Sequence, residues 1–127
     1  MRFVLAFLLV AHGIAHLVGF VSSWKVATLA EVPYKTTVFS GHLDVGDAGI
    51  RVMGLLWLLA ALAFLITAVG VATETGWAVR FTLVAVIASL LLCVAGWPDA
   101  RIGVAVNVGL LLLLAIGARL NLVALTP

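Results

Sequence analysis

His12 and His16, four residues apart in the run A-H-G-I-A-H at 11–16, are the side chains whose type and spacing could do chemistry. On a helix this spacing puts both imidazoles on one face, about 6 Å apart along the axis. Two neutral imidazoles so placed could hold one metal ion or a haem iron, or relay a proton. They could equally donate to carbonyls or side chains of a neighbouring helix. The pattern lacks the glutamate of a zinc-protease motif, and no Asp or Glu shares the face. The metal set, His12 with His16, therefore stands as an alternative beside the main expectation of no metal and no cofactor.

The elements that must position these residues follow from composition. Of 127 residues, 65% are hydrophobic and 9% charged, and the mean hydropathy is +1.33. Seven Lys and Arg with five Asp and Glu cannot cover a water-exposed surface, and a disordered chain would be poor in apolar residues. The remaining solvent is lipid. The basic residues are scattered, so no nucleic-acid surface is expected. Cys93 is the one cysteine and can form no intrachain disulfide.

A hydrocarbon core of about 30 Å takes about 20 apolar helical residues to cross. Four such runs occur, Phe3 to Ser22, Ile50 to Ala72, Trp77 to Trp97 and Ile102 to Leu122, which predict an all-α integral membrane four-helix bundle in a single domain, 1–127. Asp47 and Asp99 stand where they could cap the second and fourth helices. Trp77 and Trp97 bracket the third as interfacial rings do, and Pro98 enforces a tight turn after it. Residues 23–49 predict a long extramembrane loop, in which 36–39 and 42–45 around Ser40 and Gly41 fit a short hairpin or an interfacial helix. Arg2, an apolar stretch and small residues at 28–30 are also the pattern of a cleavable signal, but the stretch is long and contains two histidines, which favours a retained helix. Four spans place both termini on one side. Arg2 ahead of the first span, and acidic residues in the long loop, lean that side to the cytoplasm.

Polar residues inside a span are informative because an unpaired polar group in hydrocarbon costs several kcal/mol, about 2–7 on transfer scales. Here they are His12, His16, Thr67, Thr82, Ser89, Cys93 and Asn107, with no carboxylate among them. That pattern argues against paired-carboxylate catalysis and proton-driven antiport. Counting from the span ends, His16, Cys93 and Asn107 share a layer about 6–10 Å below the long-loop edge. Small-residue rows, Ala11, Ala15 and Gly19 on the first helix and Ala85, Ser89 and Cys93 on the third, let helices approach there. The expected site is a polar pocket opening toward the loop, with His12, His16, Ser89, Cys93 and Asn107 low in it and Asp99 and Arg101 at its mouth. Trp57, Gly103 and Gly109 are read as packing residues, and Arg80 as snorkelling at the opposite interface.

The segments A-H-G-I-A-H-L-V-G-F at 11–20, G-L-L-W-L-L-A-A-L-A-F at 54–64 and G-W-P-D-A-R-I-G-V-A-V-N at 96–107 give the chain a resemblance to a family of short bacterial four-helix membrane proteins, some loosely labelled DoxX-like or permease-like. The resemblance implies a bacterial inner-membrane location and supplies no catalytic residue. Three functions fit these observations. One is a non-enzymatic protein that binds a lipid, quinone or other small apolar molecule, or assists a larger membrane complex. Another is a small transporter or channel subunit working as a homo-oligomer. The third is a metal- or haem-linked redox protein using His12 and His16.

Overall fold

Backbone N–H and C=O groups placed in hydrocarbon must be satisfied within the segment, so long apolar runs become helices. The computed structural model describes residues 1–120 and is built on four of them: α1 (Arg2–Ser23), α2 (Gly46–Ala72), α3 (Ala78–Ala95) and α4 (Arg101–Arg119). Each is long and apolar enough to cross a membrane, the architecture of a multi-pass membrane protein. The expected end of the fourth span near Leu122 lies outside the described residues. Two short strands, β1 (Thr37–Val38) and β2 (Leu43–Asp44), pair antiparallel between α1 and α2, Thr37 opposite Asp44 and Val38 opposite Leu43.

Consecutive helices run antiparallel. Along the α1–α2 contact Gly13 meets Ala61 and Phe64, Gly19 meets Trp57, and the residue after α1, Trp24, meets Gly54. These are close approaches: a Cβ on Gly19 would lie 2.5 Å from the Trp57 ring. α2 packs on α3 and α3 on α4, while α4 and α1 come together far less closely. The bundle is thus a ring of helices with one open seam. Leu9, Phe64, Val86, Leu110 and Leu114 fill its interior toward the end that carries the N-terminus. The outer faces are apolar and exposed, as at Phe7, Leu59, Val84 and Leu112, which suits acyl chains as the surrounding solvent.

The expected long loop at 23–49 is corrected. α1 runs through Ser23, α2 begins at Gly46, and the residues between fold as a cap on the bundle rather than an open loop. Of the two readings for 36–45, the hairpin forms and the interfacial helix does not. Its turn has Phe39, Ser40 and Gly41 at positive φ. The turn amides of Phe39 and Ser40 donate to the carbonyls of Ala95 (2.8 Å), the last residue of α3, and of Trp97 (3.1 Å) in the turn that follows it. Trp24 Nε1 donates to the Arg51 carbonyl at 3.1 Å, and the Tyr34 hydroxyl donates to Asp47.

Both capping expectations are corrected as well. Val45 occupies the N-cap of α2 and Asp47 falls in its first turn. The carboxylate of Asp44 instead accepts from the Gly46 N–H at 2.9 Å. Gly46 sits at φ +67, a conformation open to glycine, and so lets the helix start four residues earlier than the apolar pattern indicates. Ala100 precedes α4 with no side-chain cap, because Asp99 is drawn away to Lys35.

Gly19→Ala should lower stability by about 1–3 kcal/mol through overpacking against Trp57, whereas Gly109→Ala, with nothing within 4 Å of the added methyl, should change it by no more than about 1 kcal/mol in the stabilising direction. Detergent-solubilised protein unfolded by heat or denaturant reads both. The Gly46 amide and the Thr36 hydroxyl hold the Asp44 carboxyl below its ordinary range. A depressed carboxyl stabilises above its unfolded titration range and loses that contribution as pH falls through its folded value. Acidification should therefore lower the protection of the Gly46 amide, its exchange rate being compared with the intrinsic rate at the same pH, and Asp44→Asn should flatten that dependence.

Candidate functional site

Four helices each contribute to one buried polar cluster at the cap end of the bundle or to the walls around it. His12 and His16 come from α1, Ser89 and Cys93 from α3, and Asn107 from α4, all buried. Phe64 of α2 seals the floor, its ring centroid 4.8 Å from that of His12 and 5.3 Å from that of His16. The two imidazoles stand edge-on to each other with centroids 4.5 Å apart.

Two backbone carbonyls set the proton positions of Asn107, His12, His16 and Ser89, since a carbonyl oxygen only accepts. The Gly103 carbonyl faces Asn107 Nδ2 at 2.9 Å, which fixes the orientation of that amide and turns Oδ1 toward His12 Nε2 at 3.2 Å. Nε2 of His12 must then carry the hydrogen. The His12 carbonyl faces His16 Nδ1 at 2.8 Å, so Nδ1 of His16 donates there. In a neutral imidazole Nε2 of His16 is consequently the acceptor, and it takes the Ser89 hydroxyl hydrogen at 2.7 Å. Ser89 Oγ in turn accepts from Asn107 Nδ2 at 2.9 Å, and the thiol of Cys93 lies 3.5 Å from the same nitrogen. Thr67 and Thr82 do not join the cluster. Their hydroxyls donate to Phe64 and Ala78 of their own helices.

Beside the cluster, between α1 and α4 and under the cap, runs a cleft of about 550 Å³. His12, His16 and Cys93 form its polar wall, and Ala11, Ala15 and Val106 its sides at the open seam. Trp57 of α2 closes the back, its indole packed against Gly19 and Gly96 and 5.3 Å from the His16 ring. Val32, Pro33 and Val38 roof it. At the rim Lys35 Nζ and Asp99 Oδ2 pair at 2.5 Å, half-buried.

The structure thus brings together His12, His16, Ser89, Cys93 and Asn107, and sets Asp99 at the mouth of the cleft. Arg101 is not there: it opens α4 with an exposed side chain and does not line the cleft. Lys35 and the roof residues were not legible as site residues, because their place depends on the path of the cap. Trp57, read as packing, is both packing and cleft wall. Fit to a metal is poor. Both nitrogens of His16 are engaged by protein partners, and among the described residues no three of His, Cys, Asp and Glu are placed to hold a metal ion together. Comparisons with protein-family models, curated proteins and solved structures find no match.

Asn107→Leu should remove the acceptor of His12 and one donor to Ser89 together and cost about 1–3 kcal/mol. Thr67→Val, which deletes a hydroxyl bonded only within its own helix, should cost less than about 1 kcal/mol. Unfolding of the two variants in the same detergent makes the comparison, and equal losses would mean that the cluster is no more than a set of local bonds.

Proposed function

We propose that this chain is an integral membrane protein that binds one amphiphile, a lipid or quinone-like molecule, in the cleft between α1 and α4. The observation that carries the reading is the cleft itself: apolar sides open along a seam, a polar wall deep within, and an ion pair at the rim. Its volume falls within the about 300–1,000 Å³ usual for small-molecule sites. An apolar tail suits the alanine and valine sides, and a polar end suits the imidazoles or the Lys35–Asp99 rim. On this reading the protein is not an enzyme, and the amphiphile is either its own ligand or one presented to a larger membrane complex. The likeness to short bacterial four-helix membrane proteins, an inner-membrane location and cytoplasmic termini belong to the same proposal.

The transporter reading has less support. Leu9, Phe64, Val86, Leu110 and Leu114 fill the bundle beyond the polar cluster, so the cleft is walled off within one chain. The redox reading also has less support, because both nitrogens of His16 are already taken up by protein partners.

Native mass spectrometry of gently extracted protein tests the proposal. A retained mass of lipid or quinone size is expected, and it should be lost in Ala15→Phe, where an aromatic ring projects from an exposed position of the cleft wall. Added ligand should raise the Tm of the parent protein and not of the variant. Absence of retained mass together with no stabilisation by extracted lipids would defeat the reading.

A further inference from the structure

His12 Nδ1 is the one ring nitrogen of the buried pair that the cluster leaves without a protein partner. Nε2 of His12 donates to Asn107, and both nitrogens of His16 are engaged. No bond to His12 Nδ1 occurs among the interactions of the described residues. Every fully buried side-chain nitrogen or oxygen among them does have a partner. Nδ1 is therefore not sealed inside the protein, although His12 as a whole is only 5% exposed. It reaches open space, and the cleft is the space that His12 lines.

The proton positions set by the Gly103 and His12 carbonyls give this atom a definite character. Since Nε2 carries the hydrogen, Nδ1 of the neutral ring is a bare lone pair, able to accept and unable to donate. A carbonyl oxygen brought against it would place two acceptors together in an apolar cleft. A hydroxyl would satisfy it. A charged donor such as an ammonium would leave water for largely apolar walls, which is unfavourable without a counter-charge at that depth.

We infer that the cleft selects a neutral amphiphile bearing a hydroxyl, an alcohol, phenol or hydroquinone, which donates to His12 Nδ1, over the same molecule with a carbonyl or ether in that place. The inference rests on the proposed binding role and specifies its ligand class. For a quinone-like occupant it assigns the reduced, hydroxyl-bearing form as the one held.

The experiment uses the full chain in lipid nanodiscs with isotope-labelled histidine nitrogens, and two probes of nearly one shape: para-dodecylphenol and its methyl ether. The phenol should bind about tenfold more tightly, the ratio expected when one probe leaves a buried acceptor unsatisfied. It should also move the His12 Nδ1 resonance from the bare toward the hydrogen-bonded position while the His16 nitrogens hold theirs. In His12→Phe, which keeps a ring against Phe64 and removes both nitrogens, the preference for the phenol should vanish. Equal affinity of the two probes in the parent, both excluded by Ala15→Phe, would overturn the donor rule and leave the cleft standing as a binding site. A phenol preference that survives in His12→Phe would likewise overturn it. If neither probe binds and no extracted lipid is retained, the proposed binding role fails and this inference with it. The resonance shift is read on the unsubstituted protein, so the result does not depend on any variant folding.

Discussion

A carbonyl oxygen cannot donate, and from that constraint the whole polar interior takes its direction. Gly103 holds the Asn107 amide one way round, Asn107 then dictates which nitrogen of His12 is protonated, and the His12 carbonyl does the same for His16. Ser89 links the two halves by donating to one imidazole and accepting from the amide. In water such a network would compete with solvent at every atom. Between apolar helices the groups have little but each other, and a network in which every ring nitrogen but His12 Nδ1 is engaged specifies one arrangement of α1, α3 and α4.

The rest of the bundle is arranged around that arrangement. Close α1–α2 contact, with glycines at 13 and 19 beneath Phe64 and Trp57, sets the imidazole face of α1 toward the interior. The short connection at 96–100 holds α4 against α3, where Gly103 lies under the Cys93 thiol and Asn107 under Ser89. What these contacts leave open is the α1–α4 seam. The hydrogen bond from His12 to Asn107 bridges it on the inside, and the cleft lies beside that bridge.

Depth was the readable quantity in the sequence. Counting at 1.5 Å per residue from the ends of the apolar runs puts His16, Cys93 and Asn107 at one level, and they meet in one cluster with His12 and Ser89. The reason is general: in hydrocarbon the few polar groups have only each other, so level and face nearly suffice to pair them. The ends of the helices were not readable in the same way. Asp47 and Asp99 satisfy the pattern of an N-cap, yet Asp44 takes the Gly46 amide and Lys35 takes Asp99. Near the polar edge water and several charged partners compete, and the outcome depends on how residues 24–45 cross the top of the bundle. That path is set by the turn amides of Phe39 and Ser40 reaching the end of α3, a contact nearly sixty positions away along the chain that no local pattern encodes.

The seam also decides what concentration means for this protein. If the cleft binds the amphiphile proposed above, then with its small-residue walls facing sideways a chain seated in a bilayer would meet that molecule by lateral diffusion among neighbouring lipids, without its ever leaving the oily phase. Most of the hydrophobic transfer would already be complete before encounter, so tail length would add little to selectivity. Discrimination would then fall on the polar end alone, and occupancy would follow the mole fraction of the right headgroup in the membrane rather than its solubility in water.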